Sequence, residues 1–170
     1  AIQGASNPRI LPGQPGYWVS PVAASPSDPG TAYDSYTGFR NDDFRPYVFK
    51  TTDYGATWTS LAAGLPEGPV NVLREDVKNP NLLFAGTDFG VYVSTDGGGA
   101  WLKMKNDLPT QPIHDLKVQP RESDLIVATH GRGAYIADIK PLQELTPEVL
   151  AKDVHLFAVE SKVRYAGTDR

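Results

Sequence analysis

The 170-residue sequence has no cysteine and only one methionine. The lack of cysteine excludes disulfide bonds and cysteine-ligated zinc. No apolar run approaches the roughly 18 residues of a membrane-spanning helix, so we expect no insertion into a membrane. The formal net charge is −4, without a basic stripe, and we therefore expect no nucleic-acid partner.

Turn-forming residues are plentiful, with sixteen glycines and fifteen prolines dividing the chain into short segments. The apolar runs between them are five to seven residues long and rich in β-branched and aromatic side chains, which is typical of β-strands. The one helix signal is Thr146 followed by Pro147, an N-cap and a first-turn residue, which predicts a short helix near 147–152. The VHLFAV sequence at 154–159 predicts a further strand.

One nine-residue motif occurs twice, as KTTDYGATW at 50–58 and as VSTDGGGAW at 93–101. Asp53 and Asp96 are 43 residues apart, and the LP-x-x-P motifs beginning at Leu65 and Leu108 have the same offset. Two different motifs with one offset indicate an internal repeat. Four short strands in each repeat of roughly 40–50 residues are typical of a β-propeller blade.

The sequence therefore predicts an all-β fold of about three four-stranded antiparallel blades. We expect an extended lead-in over 1–16, blades over 17–64, 65–108 and 109–158, and a tail over 159–170, with 154–159 forming the outermost strand of the third blade. Three blades do not close a ring. We therefore expect either self-association, for instance two copies forming six blades, or missing blades in a longer chain.

The repeated motif follows the pattern [ST]-x-D-x-G-x-[ST]-W. Its aspartate can accept backbone N–H bonds, its glycine can adopt positive φ, and its tryptophan buries a ring whose indole N–H needs a partner. We interpret these residues as structural. They are Thr51, Asp53, Gly55, Thr57 and Trp58 in the first copy, and Ser94, Asp96, Gly98 and Trp101 in the second, where Ala100 replaces the hydroxyl residue.

This motif resembles the Asp-box of the bacterial neuraminidase repeat propellers. Longer stretches, including DDFRPYVFKTTDYGATW and LPTQPIHDLKVQPRESDLIVATHGRGAYIADI, resemble the C-terminal blades of large bacterial sortilin-like and glycosyl-hydrolase-like repeat proteins. The resemblance covers about 17–157 and implies the fold, together with a secreted or cell-envelope location. It leaves activity open, because proteins of this architecture hydrolyse sugars, bind peptides or act as scaffolds.

Strand alternation predicts where a ligand would bind. In a blade with strands A to D, A innermost, the B–C loops and the D–A connections share the end opposite the Asp-box turns. Charged and aromatic residues collect there, at the end where we expect a ligand surface. The candidate residues are Arg40, Asp42, Asp43, Arg45, Asp88, Phe89, His114, His130 and Arg132.

Each candidate has an alternative structural role. Asp42 and Asp43 form either a carboxylate pair, for sugar hydrolysis or calcium, or a polar loop tip paired with a nearby arginine. Asp88 is either a ligand anchor or a turn former, and His130 with Arg132 either contacts a ligand or forms a tight, solvated turn. The three histidines have no metal-ligand spacing, so we expect no metal or cofactor.

The predicted function is a non-catalytic binding or scaffold module that recognises a glycan or a peptide through the B–C loop face. The alternative is a fragment of a sialidase-like or xyloglucanase-like glycoside hydrolase. That chemistry needs two carboxyl groups at a defined separation, one with a raised pKa. No motif assigns such a pair, so we predict no catalytic residue and disfavour enzyme activity by this chain alone.

Overall fold

A computed structural model describes residues 17–105 and 107–159. The predicted lead-in over 1–16 and the tail after 159 lie outside the described residues. The strands are β1 (Trp18–Val19), β2 (Ala23–Ala24), β3 (Ala32–Gly38), β4 (Asp43–Thr51), β5 (Thr59–Ser60), β6 (Val70–Glu75), β7 (Leu83–Thr87), β8 (Gly90–Ser94), β9 (Leu102–Lys103), β10 (Ile113–Gln119), β11 (Asp124–Thr129) and β12 (Ala134–Asp138). A 3-10 helix, Phe39–Asn41, and two short helices, α1 (Lys140–Gln143) and α2 (Pro147–Leu150), complete the secondary structure. Neither described α-helix has the length or apolar character to cross a membrane.

The strands form three antiparallel sheets. In sheet 1, β1 and β2 both pair with the same edge of β3, followed by β4 and β5, so β1 and β2 together make an interrupted first strand. Sheet 2 has the order β6-β7-β8-β9, and sheet 3 has the order β10-β11-β12. With β1 and β2 counted as one interrupted strand, strands that are consecutive in the chain are adjacent in each sheet. This is the antiparallel meander that the repeat predicts.

Two apolar clusters hold the sheets face to face. The first joins Tyr33 and Val48 of sheet 1 to Leu73 and Leu83 of sheet 2. The second joins the opposite face of sheet 2, including Phe84, to sheet 3. Sheet 2 packs against a neighbour on both faces, and its two central strands, β7 (LFAGT) and β8 (GVYVS), are accordingly apolar and buried along most of their length. Within the described residues the sheets form neither a closed ring nor a closed barrel, and the predicted all-β class is confirmed.

The predicted strand at 154–159 is wrong. These residues have no regular secondary structure, and sheet 3 has no fourth strand among the described residues. The carboxylate of Glu144, just after α1, accepts bonds from the Ala158 N–H at 3.1 Å and contacts His155 Nε2 at 2.9 Å. Glu144 thus holds the segment beside α1, a helix that the sequence patterns did not predict.

Helix α1 follows β12 in the third repeat, which lacks the D-x-G-x-x-W motif of the other two repeats. Ile139 is fully buried and Leu142 packs against the cluster between sheets 2 and 3. Gln143 donates to Asp76 Oδ2 at 2.7 Å and so ties α1 to the β6–β7 turn. Helix α2 follows, with the Thr146 side chain accepting from the Val149 N–H.

Candidate functional site

The first Asp-box-like turn links β4 to β5 and is closed by its own side chains. Asp53 Oδ1 accepts from the Thr57 N–H and from the Thr51 hydroxyl, each at 2.8 Å, and Oδ2 accepts from the Thr57 hydroxyl at 2.6 Å. Gly55, with φ of 88°, donates its N–H to the Thr51 hydroxyl. The Thr57 bonds, more than any other cause, lower the pKa of Asp53 to about 2.

The second turn, between β8 and β9, repeats this arrangement with one bond fewer. Asp96 Oδ1 accepts from the Ser94 hydroxyl at 2.7 Å and the Ala100 N–H at 2.9 Å, while Gly98, with φ of 99°, donates to Ser94. Ala100 has no hydroxyl for Oδ2. In both turns the aspartate is occupied by local donors, which is the arrangement that a structural role requires.

The two motif tryptophans differ in one contact. Trp101 Nε1 donates to the Leu61 carbonyl, in the connection that leaves sheet 1, at 2.9 Å. Trp58 Nε1 is buried and has no hydrogen-bond partner among residues 17–105 and 107–159, so within this part of the chain the prediction that both indoles find one is wrong for Trp58. Trp101 uses the preceding repeat for its bond, and Trp58 lies in the first repeat that the structure describes.

At the opposite end of the sheets, the B–C loops surround an open cleft of about 310 Å³, here called the central cleft. It is lined by side chains from all three sheets: Phe39, Pro69, Asn71, Asp88, Pro112, His114 and His130. Three of the predicted ligand residues, Asp88, His114 and His130, therefore lie together although they are spread over more than forty positions of the chain.

The polar groups of the central cleft are held in place by short contacts. Asn71 Nδ2 donates to Asp88 Oδ1 at 2.9 Å. The imidazole rings of His114 and His130 stack with centroids 5.0 Å apart, and the His130 N–H donates to the Pro112 carbonyl. The cleft thus presents a carboxylate with its amide partner and an exposed pair of imidazoles.

A second opening of about 450 Å³, here called the side cleft, lies in sheet 1. Its lining residues are Tyr17, Asn41, Asp42, Asp43, Phe44, Arg45 and Glu67. Asp43 is at its centre and accepts from both the Tyr17 hydroxyl, at 2.6 Å, and the Tyr47 hydroxyl, at 2.7 Å. Arg45 adds two guanidinium bonds and its backbone N–H to the same carboxylate.

These donors determine the chemistry of Asp43. The Arg45 guanidinium, and then the two phenols, hold the pKa of Asp43 well below its usual range. The hydrogen bond to Asp43 also raises the pKa of Tyr17, so the phenol stays neutral. Asp42, in the left-handed conformation with φ of 56°, is exposed. Asp43 is therefore an ion-paired anchor rather than a proton donor.

The remaining predicted residues lie at this end but outside both clefts. Arg40 stacks on the Trp18 ring, with its guanidinium carbon 4.4 Å from the ring centroid. Phe89 lies against Gly68, where an added Cβ would be 2.6 Å from the ring. Arg132 is exposed in the β11–β12 loop.

Sequence reasoning missed several residues of this surface. Phe39 lines the central cleft and Phe44 lines the side cleft, and their position in or next to the first predicted B–C loop was the available signal. Trp18, an exposed residue of β1 that stacks with Arg40, had no such signal. Nothing in the sequence pointed to Tyr17 or Tyr47 as partners of Asp43. In the described part of the chain, no group of three or more His, Asp or Glu could hold a metal ion.

Comparisons with known proteins agree with this architecture. No protein-family model matches the chain, and no curated protein matches it. Among solved structures, an ancestral GH74 enzyme matches with a TM-score of 0.54 and 23% identity over 67% of this chain. The Niastella koreensis GH74 enzyme matches with a TM-score of 0.58 and 20% identity over 71%. The GH74 xyloglucanase from Xanthomonas campestris matches with a TM-score of 0.51 and 18% identity over 69%.

The matched enzymes have propeller-type folds. This chain forms β-propeller blades. It covers only 14%, 21% and 21% of the three matched chains, about a fifth of their length or less. At these identities the likeness shows the fold alone.

Proposed function

We propose that these blades belong to a glycan-binding propeller and that the central cleft holds part of a sugar chain. The observation that carries this proposal is the meeting of all three sheets around one open cleft, with Asp88, Asn71 and a pair of imidazoles beside the exposed ring of Phe39. Ligand sites combine an apolar surface with a few convergent polar groups in this way.

The chemistry of the lining suits a sugar. Sugar hydroxyls both donate and accept hydrogen bonds, and carboxylate, amide and imidazole groups together offer both. The ring of Phe39 provides a flat apolar surface for the C–H face of a pyranose. A peptide bound by strand addition would instead need a free strand edge for backbone pairing, whereas loops and strand ends line this cleft.

The proposal includes a longer parent chain that consists of Asp-box blades. We place this chain at the cell surface or outside the cell, where polysaccharides are available for binding. Two observations support the longer chain. The matched part of this chain covers only 14%, 21% and 21% of the three matched enzymes. Among the described residues, Trp58 Nε1 lacks the carbonyl partner that the preceding repeat supplies to Trp101.

A second candidate function is part of a glycoside hydrolase active site, and it is favoured by the matched structures, which are GH74 enzymes. The described carboxylates support it less well. Asp43 accepts hydrogen bonds from five donor groups and its pKa is lowered, whereas a general acid needs a raised pKa. The aspartate whose pKa is raised, to about 6, is Asp34, and it lines neither cleft.

Binding to soluble polysaccharides, including xyloglucan, tests the main proposal by affinity electrophoresis and calorimetry. We expect measurable binding to at least one polysaccharide, weakened about tenfold by Phe39→Ala or His130→Ala, which is roughly 1.4 kcal/mol. Tyr54→Ala is the matched control, because Tyr54 is an exposed aromatic residue at the opposite end of the sheets. Absence of binding across the panel, or equal weakening by Tyr54→Ala, contradicts the proposal.

Reducing-sugar release from the same panel separates the two candidates. The glycan-binding proposal expects no release by this chain. Release that disappears in Asp88→Asn or Asp43→Asn, with polysaccharide binding retained, would establish the hydrolase candidate in its place.

A further inference from the structure

Sheet 3 ends one strand earlier than its neighbours. Sheets 1 and 2 each finish with a short outer strand, β5 or β9, whereas β12 pairs only with β11 among the described residues. Its free edge therefore presents unpaired backbone groups, a template for another strand. Beside this edge, Ile136 is 70% exposed and lies opposite Ile126 of β11 in the sheet register.

The segment 154–159, here called the tail segment, has the composition of a strand but no strand partner. It forms no backbone–backbone hydrogen bond within the described chain. Leu156 is 88% exposed and Val159 is 95% exposed. With Val154 and Phe157, which are also exposed, the segment presents four large apolar side chains within six residues, a local concentration that favours an interaction surface.

The tail segment is also kept away from β12 of its own chain. Glu144 binds it at both His155 and Ala158. Glu144 directly follows α1, and Leu142 fixes α1 against the apolar cluster between sheets 2 and 3. Among the described residues, the chain thus contains both an unfilled strand position beside β12 and a segment of strand-like composition that pairs with no strand.

We propose that the tail segment of one copy pairs with the free edge of β12 in a second copy and becomes the fourth strand of its sheet 3. A two-fold arrangement lets each chain donate and receive a strand, so both free edges are covered. Leu156 of the tail segment and Ile136 of the partner would then form the apolar cross-strand contact.

The mass of the native chain in solution, measured by light scattering during size exclusion, gives the first test. We expect a concentration-dependent dimer. Leu156→Pro and Phe157→Pro test strand pairing, because successive N–H groups point to opposite edges of a strand and one of the two must remove a pairing donor. At least one should give a monomer with an unchanged circular dichroism spectrum, while Leu156→Ala and Phe157→Ala retain dimer. The proposal is overturned if the native chain is monomeric. It is also overturned if the alanine variants lose as much dimer as the proline variants.

Disulfide trapping gives the second test, since the native chain has no cysteine. One tagged copy carries Ala134→Cys, Ile136→Cys or Asp138→Cys, and a second, differently tagged copy carries Leu156→Cys. Oxidation should crosslink the two differently tagged chains for at least one of the β12 positions. It should not crosslink them when the first chain carries Leu102→Cys instead, an exposed control position in β9. No crosslink from β12, or an internal disulfide without dimer when Ile136→Cys and Leu156→Cys share one chain, overturns the proposal.

Discussion

Asp34, in β3, is a buried carboxylate. Its Oδ1 accepts from the Ser35 N–H at 2.9 Å, and the hydroxyl of the buried Tyr36 interacts with the same carboxylate. Burial raises the pKa of Asp34 to about 6. The register of β3 with β4 sets Asp34 opposite Phe49, on the face of sheet 1 turned away from sheet 2.

This raised pKa predicts how stability depends on pH. The folded state retains a proton on Asp34 up to about pH 6, whereas the unfolded chain releases it near 3.8. The free energy of unfolding should therefore fall as pH rises from about 4 to 6 and stay lowered above that. Asp34→Asn keeps the Oδ1 acceptor without the charge. We expect a higher melting temperature than the native chain at pH 7 and a flatter profile between pH 4 and 6.

Asp53→Asn is the control with the opposite sign. The pKa of Asp53 is lowered to about 2, so its contribution is present above about pH 4 and is lost as pH falls toward 2. This variant should be less stable than the native chain at pH 7, with the difference shrinking in acid. Thermal melts of both variants against pH measure these effects, and an Asp34→Asn protein that is less stable at pH 7 would refute the assignment.

At the scale of elements, the contact between sheets 2 and 3 depends on one glycine. An added Cβ at Gly86 of β7 would lie 2.6 Å from Val72 Cγ1 and 2.8 Å from Ile113 Cγ2. The corresponding residue of sheet 3, just before Thr129, is Ala128, which is only half-buried. A side chain is tolerated there because no described sheet packs against that face.

Gly86→Ala should therefore lower the free energy of unfolding by about 1–3 kcal/mol, the cost of overpacking a well-packed interior. Ala128→Ser is the matched control, with an expected change within about 0.5 kcal/mol. Urea unfolding followed by tryptophan fluorescence measures both. Equal effects at the two positions would show that the sheets are less closely packed than the structure indicates.

At the scale of the whole molecule, neighbouring blades complete one another. Trp101 depends on a carbonyl of the connection leaving sheet 1, and buried Glu75 of sheet 2 accepts from the Tyr33 hydroxyl of sheet 1 at 2.7 Å. Trp58 lacks the contact that its counterpart makes. A polar group that pairs between two blades in the second repeat is thus unpaired in the first repeat among the described residues.

This asymmetry predicts different results for the same substitution. Trp101→Phe removes the bond to Leu61, at a cost of about 1 kcal/mol beyond the change in ring size, whereas Trp58→Phe removes an N–H that has no partner. We expect Trp101→Phe to be clearly more destabilising in urea unfolding of this chain. Equal losses would contradict it. In a chain that carries a preceding repeat, the Trp58→Phe cost should rise toward that of Trp101→Phe.

The sequence by itself determined the β class, the repeat and the composition of the two Asp-box-like turns. These follow from contacts within a few residues: Thr51, Asp53 and Thr57 meet in one turn, and short β-branched runs between turn residues favour strands. Such local patterns can be read directly from neighbouring positions.

Only the tertiary structure decided which loops share a cleft and what replaces the third outer strand. Phe39 meets His130 because three sheets stack side by side, and Tyr17 meets Asp43 across 26 positions of the chain. The tail segment carries a strand pattern, yet its bonds to Glu144 hold it elsewhere. The physical reason is that these outcomes depend on contacts between distant segments, which compete with local preference and whose balance is set by packing.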